Sequence, residues 1–255
     1  MQVVNKIIES LASIPITLLE RKFRGREVGS EKLQPPLIVR LDGVGFSARL
    51  KGFRQPRDPR VHSALVEAAA NLVKWFNADY AHVASDEINV YLLAKREIHY
   101  SGRLFKIASI AAGIASSTVS LILGRQLFFD ARPVILKDAI EAIDYYNYRS
   151  RVALGNLLTK ICVAYQCENL HLLEKAKLLS SRNALKGLEE WMLTGTCLFW
   201  SKTRREAVDR KTGRRVVVER RVLSTSSNYY ECLSRLREAL TQLNTYTHNP
   251  LSSTY

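Results

Sequence analysis

Four short β-type runs alternate with two longer helical patterns between residues 37 and 135, in the order β-α-β-β-α-β. The predicted strands are residues 37–41, 80–84, 88–93 and 127–135, and the predicted helices begin at Pro59 and Arg103. The two middle strands are separated by the turn Ser85-Asp86-Glu87, which predicts a β-hairpin. This order predicts an α+β fold built on a ferredoxin-like sheet.

The helix that begins at Pro59 is predicted to bury one face, because apolar residues recur along it at helical spacing. That face consists of Val61, Leu65, Ala68, Leu72 and Trp75. In the second helix, residues 107–124 form a stretch of 18 residues without a charge, which reaches the lower limit for a membrane span. The serines, threonines and glycines of this stretch favour a helix packed within the fold, and we expect no membrane partner.

Four segments follow from these patterns. They are an N-terminal helix and connector (1–34), a palm-type core (35–136), a helical extension (137–200), and a basic hairpin with a C-terminal helix (201–255). Within the first segment the helix covers residues 1–20, and in the third segment helices are predicted over residues 138–148, 152–165 and 170–179.

The formal charge of +14 and the isoelectric point near 9.8 are typical of proteins that bind a polyanion, such as nucleic acid or an acidic membrane face. The most basic stretch is residues 202–221. After Lys202 it contains eight arginines and lysines and three acids. Lys211-Thr212-Gly213 is predicted to be the turn of a two-stranded cationic ribbon. A solvated charged hairpin without a partner is the alternative.

The four cysteines show no Cys-x-x-Cys pair and no histidine at metal-ligand spacing, which disfavours a zinc site. They are Cys162, Cys167, Cys197 and Cys232. This pattern predicts unreacted thiols in a reducing cytoplasm. The N-terminal residues carry no signal-peptide pattern, so secretion is not expected.

Acids stand at two ends of the predicted strands, Asp42 after the first and Asp86 in the hairpin turn, with Glu87 beside it. In a ferredoxin-like core the first strand lies beside the hairpin, so Asp42 and Asp86 meet at one sheet edge. Two such carboxylates can hold Mg²⁺ together with substrate phosphates. The alternative is that Asp42-Gly43 and Asp86-Glu87 are ordinary turn residues.

Groups suited to a polyphosphate accompany these acids. Gly43 and Gly45 allow the backbone to approach a phosphate closely. Arg103, Lys106 and Ser109 recur at helical spacing at the start of the second helix, where they suit a bound polyphosphate. A solvated basic helix end is the other interpretation of these three residues.

Several motifs resemble, in order and spacing, the tRNA-His guanylyltransferase family over about residues 35–200. They are Val39-Arg40-Leu41-Asp42-Gly43-Val44-Gly45-Phe46, Asp58-Pro59-Arg60, Ala84-Ser85-Asp86-Glu87, Arg103-Leu104-Phe105-Lys106, Phe129-Asp130-Ala131-Arg132, Tyr148-Arg149 and Gly195-Thr196. An ordered set of this length is specific. It favours a functional role for Asp42 and Asp86 over the turn-residue alternative.

The resemblance implies a palm-type enzyme, built like those of polymerases and nucleotide cyclases, that extends tRNA at its 5′ end in the 3′–5′ direction. The family activates a 5′-monophosphate with ATP, or meets a 5′-triphosphate, and the 3′-hydroxyl of an incoming nucleotide then attacks that end. GTP or another nucleoside triphosphate and ATP would be substrates, with two Mg²⁺ ions as cofactors. Homo-tetramers are also implied.

The resemblance assigns roles residue by residue. Asp42, Asp86 and Glu87 would be catalytic, and Asp42, Asp86 and the carbonyl of Gly43 would bind magnesium. The nucleotide would be contacted by Arg40, Gly43, Val44, Gly45, Phe46, Ser47, Ser85, Arg103, Lys106 and Ser109. The tRNA would be contacted by Arg149, Asn156, Arg204, Arg205, Arg210, Lys211, Arg214 and Arg215.

The chain departs from the family at three places. Many members have Asp-Gly-Arg-x-Phe-His where this chain has Asp42-Gly43-Val44-Gly45-Phe46-Ser47, and the His-Ile-Asn-Asn element is here reduced to Asn156. A lysine that precedes a proline in some members is Gln55, with Arg54 and Arg57 as substitutes for binding the activating ATP. These departures favour the archaeal or bacterial branch, whose members repair truncated 5′ ends against a template.

Two other functions fit the same residues. A different palm-type enzyme, such as a forward polymerase or a cyclase, would use the same carboxylates, and a non-catalytic relative would bind tRNA unchanged. Four aromatic residues could stack on bases, although core packing is the more usual role of such residues. These are Tyr145, Tyr146, Tyr148 and Trp191.

Overall fold

The computed structural model describes residues 31–94, 97–208 and 210–246. The predicted N-terminal helix lies outside these residues. Six strands are described: β1 (Leu37–Gly43), β2 (Tyr80–Ala84), β3 (Glu87–Leu92), β4 (Phe129–Ile135), β5 (Thr196–Val208) and β6 (Arg215–Ser226). The α-helices are α1 (Phe46–Arg49), α2 (Pro59–Phe76), α3 (Leu104–Leu123), α4 (Glu141–Cys162), α5 (Leu172–Ser181), α6 (Glu190–Thr194) and α7 (Tyr229–Tyr246).

The six strands form one antiparallel sheet in the order β4-β1-β3-β2-β5-β6. The first four strands have the order 4-1-3-2, so the predicted ferredoxin-like arrangement is confirmed. The basic hairpin adds β5 beside β2 and β6 beside β5, so the hairpin is a continuation of the same sheet.

Helices cover both faces of the sheet. Leu37, Val39 and Leu41 of β1 share a hydrophobic core with buried residues of α2 and α3, on what we call the back face. Ile38 belongs to a second core with residues of α4 and α7, on the front face. Because side chains alternate along a strand, Arg40 and Asp42 lie on the front face with Ile38.

Local sequence signals fix the ends of α2. Pro59 is its first residue, and the side chain of Asp58 caps it by accepting a hydrogen bond from the backbone N–H of Arg60. Four of the five predicted core positions are buried, but Trp75 is 52% exposed and Phe76 is buried in its place. The last turn therefore presents a different residue to the core than the sequence predicts.

The uncharged helix α3 packs along the back face through Ile107, Ala111, Ala115 and Val119, which are fully buried. This packing agrees with the prediction of a helix within the fold. Of the helices in the described residues, α3 alone is long and apolar enough by composition to cross a membrane. About a fifth of that window (22%) is buried, so much of its apolar surface faces outward.

Helix α4 corrects one prediction. The sequence predicted separate helices over residues 138–148 and 152–165, but α4 runs without a break from Glu141 to Cys162. The polar residues at the predicted break are helical because Arg149 and Ser150 turn inward and are buried. Arg149 finds a buried carboxylate there, as described below.

The cysteines correct another prediction. The expected unreacted thiols are instead two disulfides, Cys162–Cys167 at the end of α4 and Cys197–Cys232 between β5 and α7. Their Cα atoms are 4.8 and 5.7 Å apart, within the range that a disulfide spans. Cysteine content therefore no longer supports a reducing compartment.

The predicted basic hairpin is confirmed, with Val208 paired to Arg215 across the turn. Its direction follows from the register. Thr196 pairs with Val83 near the Asp86 turn, and Phe199 pairs with Tyr80 at the other end of β2. The nine residues after Phe199, up to Val208, extend about 30 Å further, at ~3.3 Å per residue. The hairpin tip thus projects from the end of the sheet opposite to Asp86.

Candidate active site

Four acids meet at one edge of the sheet, and we call them the acid cluster: Asp42, Asp86, Glu87 and Asp130. Asp42 on the central strand β1 pairs with Glu87 on one side and with Asp130 on the other. The backbone N–H of Gly43 donates to the carbonyl oxygen of Asp86 over 3.2 Å, which joins the Asp86 turn to the end of β1. The predicted convergence of Asp42 and Asp86 is therefore found.

The acids influence each other electrostatically. Burial and the negative charges of Asp86 and Glu87 raise the pKa of Asp42 above its usual value, and Arg40 opposes this effect. Arg40 donates to Oδ2 of Asp42 over 2.8 Å and to Oε1 of Glu87 over 3.0 Å. Two negative charges beside Asp42, opposed there by one guanidinium, form a setting that attracts cations.

Glu87 lies deeper than the other acids. It is 9% exposed, and its Oε1 accepts hydrogen bonds from both Arg40 and Arg149. Arg149 itself is 8% exposed and reaches Glu87 from α4. Nearby, the hydroxyl of Tyr145 donates to Oδ1 of Asn89 over 2.8 Å. Glu87 therefore serves to hold two arginines at the front face, and α4 is tied to β3 beside the acid cluster.

The loop after Asp42 is shaped by packing. A Cβ on Gly43 would lie 2.5 Å from the ring of Phe46, which is buried and packs edge-on against Phe129. Gly45 precedes α1 with φ of 66°, a conformation that favours glycine. The N–H groups of Gly43 and Val44 donate to the carbonyls of Asp86 and Phe128. The Phe46 ring is thus part of the core, and the contact of this loop with a nucleotide remains a prediction.

The turn that carries Asp86 is tight. Ala84 pairs with Glu87, so only Ser85 and Asp86 connect β2 to β3. Ser85 adopts φ of 61°, which is uncommon for a residue other than glycine and often marks a functional turn. Ser85 and Asp86 are thus held by the hairpin itself, next to Gly43.

Three predicted nucleotide contacts are not brought to the acid cluster. Arg103, Lys106 and Ser109 lie at the start of α3, which packs on the back face, whereas Asp42 points to the front. Lys106 and Ser109 line an open hollow with Ala131 of β4. Their contact with a nucleotide remains a prediction, since the sheet lies between them and Asp42 of the same chain.

The predicted tRNA contacts fall into three groups. Arg149 is buried against Glu87, whereas Asn156 is exposed on α4. The hairpin residues are exposed, with Arg204 near Glu219 at 3.6 Å. They are Arg204, Arg205, Arg210, Lys211, Arg214 and Arg215. Tyr146 is buried, in agreement with core packing, while Tyr148 is 56% exposed.

Sequence reasoning left Asp130 out of the site and named Arg57 only as a substitute contact for the activating ATP. Asp130 was noted only as part of a motif, although its pairing with Asp42 follows once β4 is placed beside β1. Arg57 is mostly buried, donates to the carbonyl of Ala153 over 2.9 Å, and lies close enough to Asp86 to interact with its charge. Burial lowers the pKa of Arg57 to about 10. No local sequence signal reports that contact.

Within the described ranges, no group of three or more His, Cys, Asp or Glu side chains is arranged as a metal site. The predicted donor set is smaller, with two carboxylates and one backbone carbonyl. Such a set suits Mg²⁺, which usually binds one or two protein carboxylates and completes its shell with water and substrate phosphates.

Solved structures with the same fold include two of a bacterial tRNA-His guanylyltransferase-like protein, in complex with GTP and with ATP. Each is 22% identical to the chain and covers 89% of it and 98% of the relative, with TM-scores of 0.71 and 0.69. The tRNA-His guanylyltransferase of Saccharomyces cerevisiae is 19% identical over 69% of this chain and 90% of its own, with a TM-score of 0.58. At these identities the likeness shows the fold.

No curated protein sequence matches the chain. The family model described as tRNA-His guanylyltransferase matches residues 22–145, a segment that contains the whole acid cluster and the four strands of the ferredoxin-like sheet. Across this segment the chain matches the tRNA-His guanylyltransferase family.

Proposed function

We propose that the chain is a nucleotidyltransferase that adds nucleotides to the 5′ end of tRNA in the 3′–5′ direction, as one guanosine or as templated repair. The observation that carries this proposal is the meeting of Asp42 and Asp86 at one sheet edge, inside the segment that matches the family. The proposal is further supported by the structural likeness, over 89% of this chain, to a relative solved in complex with GTP and with ATP.

The reaction would proceed by exchange at phosphorus. The 3′-hydroxyl oxygen of the incoming nucleotide forms a bond to the phosphorus at the tRNA 5′ end and loses its proton to the surroundings. Pyrophosphate leaves when that end is a triphosphate, and AMP leaves when a 5′-monophosphate has first been joined to ATP with loss of pyrophosphate. Catalysis of this kind depends mostly on positioning and charge neutralisation.

Mg²⁺ fits the residues at this edge, because the like charges around Asp42 need a cation and the donors are all oxygens. Asp42, Asp86 and the carbonyl oxygen of Gly43 would hold the magnesium, and the proposal includes two Mg²⁺ ions. When bound, magnesium supplies neutralisation of the charge that builds up on the phosphate oxygens. Arg40 would neutralise charge on the same phosphates, and Glu87 holds Arg40 beside Asp42.

The remaining parts of the proposal concern binding. GTP or another nucleoside triphosphate and ATP would be substrates, contacted by Val44, Gly45, Ser47 and Ser85 around the acid cluster. The exposed arginines of the hairpin would contact tRNA phosphates. A homo-tetramer in the cytoplasm, with residues 35–136 as the catalytic core, completes it.

A labelling experiment tests the reaction. Purified protein is given intact and 5′-truncated tRNAs with each labelled nucleoside triphosphate, and the position of the new nucleotide is mapped. We expect label at the 5′ end and a loss of at least about 100-fold in the Asp42→Asn and Asp86→Asn variants. Lys177→Gln, which changes an exposed residue of α5, is the control and should remain active.

The other candidate functions give different results in the same assay. Growth at a 3′ end, or a cyclic nucleotide product, would replace this proposal with another palm-type enzyme. Binding of tRNA without transfer, unaffected by both aspartate substitutions, would show a non-catalytic relative.

A further inference from the structure

The tip of the basic hairpin lies far from the acid cluster of its own chain. Its tip projects away from the end of the sheet where Asp42 and Asp86 lie, and β5 alone spans about 40 Å from Thr196 to Val208 at ~3.3 Å per residue. RNA whose 5′ end reaches the acid cluster therefore needs another cationic surface near that end.

A second basic surface lies at the edge of the sheet that carries the acid cluster, and we call it the loop patch. It consists of Arg49, Lys51, Phe53, Arg54, Arg60 and Arg125. All five basic residues are exposed. Asp58 is the only acid between positions 44 and 66, and positions 104 to 129 contain none. The loop patch is therefore strongly cationic. The sequence analysis predicted a cationic surface in the basic hairpin and did not predict this second one.

Fixed contacts hold the loop patch in shape. The buried carboxylate of Asp58 accepts from the backbone N–H groups of Arg54 and Arg60, both over 2.8 Å. Nη1 of Arg125 donates to the carbonyls of Arg49 and Lys51 over 3.0 and 2.9 Å, which ties the start of the loop to the end of α3. The basic residues are thus presented on an ordered loop.

An aromatic ring lies between two of the cations. The guanidinium of Arg60 lies 5.0 Å and that of Arg125 lies 4.9 Å from the centre of the Phe53 ring. Among the described residues, no acid pairs with the side chains of Lys51 and Arg54. Arginines held over an aromatic ring, beside cations without an acid partner, suit a backbone of phosphates with stacked bases.

The loop patch adjoins the acid cluster through the backbone. Val44, two residues after Asp42, donates to the carbonyl of Phe128, and Arg49 donates to the carbonyl of Gln126 over 3.4 Å. At the other end of the loop, Arg57 lies near Asp86. One strand of RNA can therefore reach the acid cluster with its 5′ end while its next phosphates lie on the loop patch.

We propose that the loop patch binds the sugar–phosphate backbone of the first nucleotides at the 5′ end of the RNA substrate. This inference rests on the proposed function and names the surface that positions the reacting end. A nucleoside triphosphate is the other source of phosphates, and Arg54 was predicted to contact the activating ATP. The five cations are, however, spread along a loop and a helix end, in the manner of a polyanion site.

The test compares two double variants that remove the same charge. Lys51→Gln/Arg54→Gln changes the loop patch at the two side chains without acid partners, and Lys177→Gln/Lys186→Gln changes exposed residues beyond α4. Binding of a labelled tRNA acceptor-stem hairpin with a 5′-triphosphate is measured by fluorescence anisotropy over a series of salt concentrations. Binding of a fluorescent GTP analogue is measured in parallel.

We expect the loop-patch variant to bind the RNA roughly tenfold more weakly at physiological salt, with a salt slope lower by about 1 to 2. GTP binding should stay unchanged, and the control variant should match the unmodified protein in both assays. A 4-thiouridine placed near the RNA 5′ end should crosslink to the peptide that contains Phe53.

Two binding results overturn the inference. One is RNA binding by the loop-patch variant with unaltered affinity and salt slope. The other is a selective loss of GTP binding, which would assign the cations to the nucleotide. The proposed function alone would be refuted if the protein binds RNA through the loop patch but transfers no nucleotide. The role of the loop patch alone would be refuted if the loop-patch variant keeps full transfer activity and an unchanged KM for RNA.

Discussion

Arg149 of α4 and Glu87 of β3 form an ion pair in the interior of the protein, where both residues are less than a tenth exposed. Arg40 bonds the same carboxylate from β1. The pair therefore fastens the helix that covers the front face to the strand that follows the Asp86 turn.

Substitutions in this network should have unequal effects. Glu87→Gln leaves the buried guanidinium of Arg149 without its carboxylate, although Arg40 keeps Asp42, and should lower the free energy of unfolding by about 3–5 kcal/mol. Arg149→Met should cost less, because Arg40 still neutralises Glu87. Urea denaturation of both variants measures the difference. Equal costs would show that Arg40 does not share the carboxylate.

The buried histidine His82 should make stability depend on pH. Its Nε2 lies 2.7 Å from the carbonyl oxygen of Thr194, and burial lowers its pKa to about 4. The unfolded chain, with a histidine pKa near 6.5, binds more protons between pH 6.5 and 4, so the free energy of unfolding falls as pH falls through that window. The full loss for this histidine is about 3 kcal/mol.

The measurement is urea denaturation at several pH values between 7 and 4.5. His82→Gln, which can still donate to Thr194, should show a smaller fall in stability than the unmodified protein. His62, whose pKa burial also lowers to about 4, accounts for part of the slope that remains. An identical slope in the variant would contradict the role of His82.

Gly43 should not tolerate a side chain. A methyl group there meets the Phe46 ring at 2.5 Å, so Gly43→Ala must displace a core aromatic residue, at a cost of about 1–3 kcal/mol in unfolding free energy. Gly113→Ala is the control. It lies within α3 with nothing within 4 Å of the added atom, and it should stabilise the helix by about 0.5–1 kcal/mol. Thermal unfolding of the two variants should shift in opposite directions.

The disulfide between Cys197 and Cys232 should contribute measurably to stability. It closes a loop with a sequence separation of 35 residues, and its reduction should lower the free energy of unfolding by about 2–4 kcal/mol. Urea denaturation with and without a phosphine reductant measures this contribution. Four free thiols in the air-oxidised protein, counted by mass spectrometry, would contradict it.

Much of the fold could be predicted because its signals are local. Asp58-Pro59 marks the start of α2 whatever the helix packs against. The order of the strands places Asp42 beside the Asp86 turn without any knowledge of side-chain packing. The two strands of the basic hairpin could also be predicted, because they flank the turn at Lys211-Thr212-Gly213.

The rest depends on contacts between distant residues. Arg149 was expected at a surface that touches tRNA, and its partner Glu87 is 62 positions away in the sequence. Cys197 and Cys232 are likewise brought together only when α7 packs against β5. Arg103 and Lys106 were placed near the nucleotide by motif spacing, but spacing does not report which face of the sheet a helix covers.

The register of β5 has a consequence for the size of any ligand that contacts both ends of this protein. One molecule that reaches from the Asp86 turn to Arg214 must span about 40 Å, on the order of a dozen stacked base pairs. A free nucleotide is far too short for this, so simultaneous occupancy of both regions would select for folded RNA by length alone.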